Sequence, residues 1–347
     1  MADKLDRLYL LKVPEIQQAF LEAVSEIVDR AIIDEMVKAI DNNDIETLYR
    51  VSGITPAAFD TLLTKLEEVY AASGSLTVGN WPKTIKTDMG VFIPVFNMRN
   101  VSVEKQLSDY SSEFISGITE EMKESVRLVL QDGQSRGQNP RSTALNIVGR
   151  IDPSTRKRIG GVIGLSKNQT KWVLNVRRYL ENLDERYLTM GLRDKRFDSV
   201  FKKAVKEGKP LKEADISRFM TAYEQKALLY RGEMVARTET IKAINRAESD
   251  AIYQGIEEGL IKKEQVRKWW DDTGDGRTRH SHLYMGKKYS RDKAIPIDEP
   301  FVFPNGEKCM YPGDTSLGAQ AGEIINCRCK VQYEIDFLAE VTGEFKI

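Results

Sequence analysis

Apolar residues recur every three or four positions along most of the chain before residue 260, and this spacing predicts an α-helical body. Two helices are expected over residues 6–50, and a third over 55–74, where a serine–glycine pair ends it. A longer helix is expected over 103–132, with a glycine as its stop. The longest apolar stripe runs from about 213 to 258 and predicts the main helix of the protein.

The spacing changes in two places. Between 75 and 100, Gly, Pro and Asn interrupt short apolar runs, which predicts a loop or short hairpin insertion, either an exposed arm or a piece packed on the helices. Residues 266–270 and 331–335 alternate like short strands, with turn residues between them. The fold is therefore predicted to be mainly α, with an elongated helical body and a small C-terminal α+β module.

We divide the chain by pattern and composition into three segments. They are an N-terminal helical region over 1–140, a basic segment with the long helix over 141–262, and the C-terminal module over 263–347. Arg237 and Glu248 take places on the apolar stripe of the long helix. They lie either on a solvated face or inside the protein, where charges need partners.

Residues 156–158 are predicted to form a turn of helix, and Ser166 is expected to be the N-cap of the next helix. The glycines at 160, 161 and 164 suggest a phosphate-binding loop. However, no Gly-Lys-Ser/Thr ending follows them, which argues against nucleotide binding.

Net charge adds a second pattern. The chain has 347 residues with 52 Lys+Arg and 52 Asp+Glu, which excludes a uniformly basic nucleic-acid binder. The balance is nevertheless uneven, since residues 1–74 carry 14 acids and 7 bases, and residues 141–210 carry 17 bases and 7 acids. These segments are either solvated helical faces or, for the basic one, a surface for DNA or an acidic protein. The candidate DNA contacts are Arg156, Lys157, Arg158, Lys171, Arg177 and Arg178.

Neither a transmembrane run nor a secretory signal is predicted, because the apolar stretches are short and the first twenty residues are mixed in polarity. Three cysteines exclude a disulfide scaffold, so synthesis in a reducing cytoplasm is expected.

The rare residues cluster, because every cysteine and both histidines fall in the last 70 residues. Zinc is the metal that such a set would bind, since structural zinc takes four nitrogen or sulfur ligands. The pairs 280/282 and 327/329 can each present two ligands on one side of an extended segment. The alternative is that the cysteines are small buried hydrophobic residues and the histidines bond to loop carbonyls. The candidate ligands are His280, His282, Cys309, Cys327 and Cys329.

Three groups of residues, in this order, resemble the phage Mu F-like minor head protein family, also called the phage head morphogenesis family. The first is Ala-Arg-Thr-Glu-Thr over 236–240, followed by Ala-Ile-Asn-Arg-Ala over 243–247. The second is Trp-Asp-Asp at 270–272 and Asp-Gly-Arg-Thr-Arg-His-Ser-His at 275–282. The third is Pro-Gly-Asp at 312–314 and Asn-Cys-Arg-Cys at 326–329. The resemblance covers about residues 145–335, and residues 1–140 carry no matching motif.

The resemblance implies a tailed-phage virion protein, present in few copies, that associates with the portal and acts in head assembly or in DNA retention and ejection. Expected partners are the portal protein, the major capsid protein and phage DNA. The expected location is the virion head near the portal vertex, and the host cytoplasm during assembly. His280 stands where the family more often has proline, and Cys309 lies outside its pattern. The motif residues are Arg237, Glu239, Asn245, Trp270, Asp275, Arg277, Arg279, His282, Gly286, Pro312, Asp314, Asn326, Cys327, Arg328 and Cys329.

We favour a structural role for this set, in which the motifs hold the C-terminal module on the long helix, with no catalytic residue and no required cofactor. Arg328 is expected to pair with Glu239, Asp271 or Asp314, or with a surface of another protein. The rival is a virion-carried metal-dependent hydrolase or nuclease, in which His282 is a base oriented by Asp271, Asp272 or Asp275. A third alternative is a DNA-binding ejection protein without a portal role.

Overall fold

The computed structural model describes residues 2–337 of the chain. It is 62% helical, with a few short strands in the C-terminal region, which confirms the predicted mainly α fold with a small β-containing module. No helix within these residues is both long and apolar enough to cross a membrane.

The longest helix confirms the apolar stripe expected over 213–258. The expectation of two helices over 6–50 is wrong, because that stretch contains three helices, separated at 31–32 and 42–44. The helices are α1 Ala2–Arg30, α2 Ile33–Asp41, α3 Ile45–Val51, α4 Asp60–Val78, α5 Val101–Ser135, α6 Pro140–Val148, α7 Lys167–Glu181, α8 Asp198–Glu207, α9 Glu213–Glu257, α10 His280–Lys288 and α11 Ala321–Ile324. Ser166 caps α7, as expected, in a reciprocal capping box with Gln169.

The strands are short and antiparallel. They are β1 Ile85–Thr87, β2 Gly90–Phe92, β3 Arg150–Ile151, β4 Arg158–Ile159, β5 Val266–Asp271, β6 Ile295–Pro296, β7 Phe301–Val302, β8 Lys308–Cys309 and β9 Lys330–Ile335. The two strands expected in the module, β5 and β9, pair along their whole length from Val266↔Ile335 to Asp271↔Lys330. With β6 they form a three-stranded sheet in the order β6-β5-β9. The β1–β2 hairpin lies in the segment expected to hold a loop or hairpin.

The chain forms two compact units, each built from separated segments. The first consists of Met1–Gln17, Leu63–Tyr110 and Met234–Ile347, and the second of Gln18–Leu62 and Ser111–Glu233. Helices α1, α4, α5 and α9 contribute residues to both. The three consecutive segments proposed above stay a prediction about organisation along the chain.

The first unit contains the C-terminal module and has two apolar clusters. One surrounds Tyr70, Trp81 and Ile252, and the other surrounds Trp270 and Phe301. Strand alternation sends Val266 and Trp270 of β5 inward, and the Trp270 ring packs edge-on against Phe301 with ring centroids 5.4 Å apart. The module therefore has an aromatic core of its own behind the sheet.

Two predicted helix ends are wrong because a glycine there serves close packing. Helix α4 continues past Ser73-Gly74 to Val78, and a Cβ on Gly74 would lie 2.2 Å from the Phe96 ring. Helix α5 passes Gly133 and ends at Ser135. A Cβ on Gly133 would lie 2.6 Å from Thr143 Oγ1. In both helices, glycine is a contact surface instead of a stop signal.

The helical turn predicted at 156–158 is also wrong, because this stretch closes the β3–β4 hairpin. Asp152 Oδ1 accepts hydrogen bonds from the amide and the hydroxyl of Ser154, at 2.7 Å and 2.6 Å, which starts a turn. Arg156 then adopts a left-handed φ of 60°. The following glycines hold no phosphate-loop motif, and the Gly161 amide instead donates to Glu224 Oε2 at 2.8 Å.

Candidate metal centre

Two of the three motif groups, the first and the third, meet at the side chain of Asn245 on α9. Its Nδ2 donates to the carbonyl oxygens of Pro312, at 2.9 Å, and Cys329, at 3.2 Å. Its Oδ1 accepts from the amide of Val331 at 3.0 Å. Asn245 has 0% of its surface exposed, so these hydrogen bonds replace all contact with water. We call this set of bonds the Asn245 lock.

A second link to α9 precedes the cysteines. The amide of Asn326 donates to Thr238 Oγ1 at 2.8 Å. Asn326 has a left-handed φ of 59°, a conformation that asparagine tolerates better than most residues. This residue turns the chain out of α11 and directs Cys327 and Cys329 into the module.

Arg328 projects away from its two neighbouring cysteines and pairs with Asp275 at 2.7 Å. The pairing with Glu239, Asp271 or Asp314 that the sequence suggested is therefore wrong. Glu239 instead accepts a hydrogen bond from the Tyr110 hydroxyl at 2.6 Å. Asp314 accepts from the Met310 amide at 2.7 Å and holds its own loop.

Asp275 is the centre of the loop before α10. It accepts hydrogen bonds from the Arg277 amide at 3.1 Å and from Thr278 Oγ1 at 3.2 Å. The bond from the Arg328 guanidinium, together with these donors, lowers the pKa of the Asp275 carboxyl. Arg277 is exposed at 3.5 Å from Asp275, and the Arg279 guanidinium donates to the Ile325 carbonyl. This loop is consequently tied to the cysteine segment at two points.

His282, Cys327 and Cys329 form a buried cluster, which we call the His–Cys–Cys cluster. His282 Nδ1 lies 3.2 Å from Cys329 Sγ and 3.4 Å from Cys327 Sγ. One ligand atom from each residue falls within 4.8 Å of the others. The exposed fractions of the three residues are 1%, 2% and 1%.

Glu323 on α11 completes the surroundings of the histidine. Its Oε2 lies 3.0 Å from His282 Nε2 and accepts a hydrogen bond from Ser281 Oγ at 2.7 Å. The Cys329 amide also donates to Cys327 Sγ at 3.3 Å. The carboxylate partner of His282 is thus Glu323, so the expected orienting role of Asp271, Asp272 or Asp275 is wrong. Sequence reasoning missed Glu323, because nothing in its spacing from His282 distinguishes it.

The cluster favours one thiolate beside a protonated imidazole. Hydrogen bonds from Cys329 and then His282 hold the pKa of Cys327 well below its usual value. The bond with Cys327, together with burial, raises the pKa of Cys329. Burial opposes protonation of His282, but the hydrogen bond and the charge of Cys327 outweigh it and raise the pKa of the imidazole. A metal ion that accepts sulfur ligands would displace the Nδ1 proton of the imidazole, because only the neutral ring offers a lone pair.

The other two candidate ligands lie outside the cluster. His280 and His282 occupy the first turn of α10 instead of an extended segment, so their side chains diverge by about 200° and His280 is exposed. Cys309 lies on β8 opposite Phe301, buried in the aromatic core, where burial raises the pKa of its thiol. Three of the five predicted ligands therefore come together.

The remaining motif residues shape the space around the cluster. Trp270 packs edge-on against the His282 ring with centroids 5.5 Å apart. Gly286 lies on α10 where a Cβ would come within 1.9 Å of Asp272 Oδ2, so glycine makes room for that carboxylate. Arg237 is half-buried on α9, one residue before Thr238. The sequence analysis also missed Lys268, whose buried Nζ donates to the Met310 carbonyl at 2.9 Å and whose pKa burial lowers to about 8.

The six candidate DNA contacts lie in the second unit and differ in exposure. Arg156, Lys157, Lys171 and Arg178 are exposed. Arg158 is half-buried, donates to the Gly149 carbonyl at 3.3 Å and lines a cavity of about 420 Å³. Arg177 is 5% exposed and donates to Asn146 Oδ1 at 3.4 Å, so it is not available to DNA.

Comparison of the chain with protein-family models, curated proteins and solved structures found no match. The resemblance to the Mu F-like family therefore depends on the motif residues themselves, and family membership stays a prediction.

Proposed function

We propose that the chain is a phage minor head protein that acts in head morphogenesis beside the portal. Its partners are the portal protein or the major capsid protein, and it resides in the virion head near the portal vertex after assembly in the host cytoplasm. The observation that carries this proposal is the Asn245 lock. It brings the helical motif, the Pro-Gly-Asp loop and the Asn-Cys-Arg-Cys segment, which make up two of the three motif groups of the family resemblance, to one buried point.

The chemistry of the motif residues supports a structural role. Their polar groups form hydrogen bonds with backbone groups and with one another, and all three residues of the His–Cys–Cys cluster are buried. A reactive site needs a path for its substrate, whereas a lock needs satisfied and buried polar groups. The four exposed candidate DNA contacts, Arg156, Lys157, Lys171 and Arg178, supply a contact for DNA retention or ejection.

The proposal is tested in the phage or prophage that encodes the chain. Deletion of the gene is expected to reduce the yield of infectious particles, and the protein is expected in purified heads by mass spectrometry. A plasmid copy should restore the yield, while Asn245→Ala should not. Asn80→Ala is the matched control, because the exposed Asn80 amide makes only a local bond to the Leu76 carbonyl and its loss should be tolerated.

Two results together would contradict the proposal: purified heads that lack the protein, and a normal yield after deletion. The partner is identified separately, by co-purification with the portal protein of the same phage. Retention by the portal protein, and its loss in Asn245→Ala but not in Asn80→Ala, is expected.

One observation favours the hydrolase alternative. The imidazole of His282 lies between a thiol and a carboxylate: Nδ1 is 3.4 Å from Cys327 Sγ, and Nε2 is 3.0 Å from Glu323 Oε2. This is the order of a nucleophile, a base and its orienting carboxylate. The substitution His282→Ala distinguishes the hydrolase from the structural head protein. An enzyme loses turnover of a phosphodiester or peptide substrate and keeps its melting temperature, whereas a lock loses stability and has no turnover to lose.

A further inference from the structure

We propose that His282, Cys327 and Cys329 bind one Zn²⁺ ion, through Nδ1 of the histidine and Sγ of each cysteine. This inference is independent of the proposed function, since a head protein and an enzyme can each contain zinc. No comparison assigns this site, and the inference depends only on the geometry and the chemistry of the described residues.

The distances within the cluster suit a tetrahedral zinc ion. Zinc lies about 2.3 Å from sulfur and about 2.0 Å from nitrogen, so tetrahedral N and S ligands are about 3.5 Å apart. His282 Nδ1 lies 3.2 Å from Cys329 Sγ and 3.4 Å from Cys327 Sγ. Both separations are within a few tenths of an ångström of that value. An ion can therefore enter the cluster with little movement of its ligands.

The groups around the ligands match those that support zinc in proteins. A ligating histidine usually donates its other ring nitrogen to a carboxylate, and Glu323 Oε2 lies 3.0 Å from His282 Nε2. When zinc binds, the imidazole would give up its Nδ1 proton and keep the Nε2 proton that bonds to Glu323, so that Nδ1 presents a lone pair to the metal. Ser281 holds Glu323 in place at 2.7 Å, and the Cys329 amide donates to Cys327 Sγ at 3.3 Å, which stabilises a thiolate.

The donor set selects the metal. Thiolate and imidazole suit zinc, whereas magnesium and calcium prefer oxygen ligands. The aromatic rings of Trp270 and Phe303, with centroids 5.5 Å and 5.6 Å from the His282 ring, surround the cluster and limit its access to water. Three protein ligands leave a fourth position for a water molecule or an added donor.

Zinc at this point would connect α10 to the segment before β9, which are more than forty residues apart in the sequence. Apart from their shared apolar core, these segments meet through single hydrogen bonds, and the Arg328–Asp275 pair joins the loop before α10 to the cysteine segment. Metal binding to a folded site adds its free energy to folding, so removal of the ion should weaken the C-terminal module first.

The primary test is elemental analysis of the full-length chain after equilibration with zinc and removal of excess ion. We expect about one zinc per chain, and its loss in Cys327→Ser. Cys309→Ser is the matched control, because Cys309 is equally buried in the same aromatic core but lies outside the cluster. It should retain the metal. A wild-type chain without zinc, or equal loss of zinc in both variants with intact helical circular dichroism, overturns the proposal.

A second measurement needs no variant and therefore does not depend on a mutant that folds. The wild-type chain is loaded with Co²⁺ in place of zinc. We expect a thiolate-to-cobalt charge-transfer band in the near ultraviolet and intense visible bands of tetrahedral cobalt. Weak visible bands without thiolate charge transfer would show coordination by oxygen at another place and would overturn the assignment. Neither result bears on whether the chain is found in phage heads, so this proposal and the proposed function fail independently.

Discussion

In the C-terminal module and the part of α9 that bonds to it, polar residues such as His282 and Asn245 are buried and bonded, whereas in the basic segment 141–210 charged residues such as Lys171 and Arg178 lie at the surface. The motif of the module also has charges, but several of them have partners within the protein that are distant in sequence, as Arg328 has in Asp275. The basic segment has many charges, and several of them pair only with near neighbours, as Arg186 does with Asp184.

The comparison shows what a count of residue types can and cannot indicate. A buried polar group left without its partner loses a hydrogen bond and stays desolvated. Removing the partner of such a group in the module should therefore lower the free energy of unfolding strongly. An exposed ion pair contributes little, because water and salt screen it. The predictions below test that contrast from its strongest case to its weakest.

Asn245→Ala should have the largest effect on stability. The substitution leaves two buried carbonyls and one buried amide without partners, which should lower the free energy of unfolding by about 3 to 5 kcal/mol. Chemical denaturation measures the change, with Asn80→Ala as control. If the free energy of unfolding falls by less than a single exposed hydrogen bond contributes, the Asn245 lock is not the main link between α9 and the module.

Glu248 should make stability depend on pH. It is buried on α9, its Oε2 has no hydrogen-bond partner in the described structure, and burial raises its pKa to about 8. The unfolded chain releases this proton near its ordinary pKa, so the folded state binds more protons between the two values and stability falls as pH rises through this window. We expect a loss of about 2 kcal/mol between pH 6 and pH 8 from this group.

The measurement is the difference in unfolding free energy between wild type and Glu248→Gln across that range. The difference should change with pH, because Gln cannot ionise. Glu264→Gln, at an exposed position, should give a difference that is flat. A flat difference for both variants would mean that Glu248 is charged in the folded protein at neutral pH.

Ser166→Ala should have an intermediate effect in the second unit. Ser166 Oγ caps the Gln169 amide, and Gln169 Oε1 accepts from the Ser166 amide at 3.1 Å. Loss of this cap should lower the unfolding free energy by about 1 kcal/mol. Thr55→Ala is the control, because Thr55 precedes a short 3-10 helix without a side-chain cap bond and should change stability much less.

Replacement of the exposed basic residues should change stability least and DNA binding most. A chain with Arg156, Lys157, Lys171 and Arg178 changed to glutamine should unfold within about 0.5 kcal/mol of wild type. If these residues bind DNA, the slope of log affinity against log salt should fall by about 0.9 for each phosphate that the variant no longer neutralises. Lys83, Lys86, Lys287 and Lys308, exposed outside the segment, form the control set. If the slope of log affinity against log salt is equal for the two variant sets, the basic residues of the segment serve solubility and not DNA binding.

Local patterns predicted the elements with regular spacing. The bounds of α9 and the strands β5 and β9 followed from apolar periodicity, and the cap at Ser166 from residue type. Glycine was harder to interpret, since Gly74 sits inside a helix against Phe96. Periodicity does not report what lies opposite a residue, and a close contact and a helix stop both select glycine.

The candidate site was predictable in its residue types but not in its pairings. Cys327, Cys329 and His282 were identified from their rarity and their motif context. Glu323 and the Arg328–Asp275 pair were not, because partners that meet only after folding leave no periodic signal. His280 shows the same limit, since the winding of the helix decides which of two neighbouring histidines enters the core.

The discontinuous first unit has a consequence for the order of folding during synthesis. It needs Met1–Gln17 and also β9, and Lys330 Nζ bonds to Asp6 Oδ1 at 2.7 Å across nearly the whole described chain. Every segment of the second unit has left the ribosome before α10 is made. The apolar face of α1 before Gln18 is therefore uncovered until β9 has been translated, and chaperones or other nascent chains can bind it during that interval.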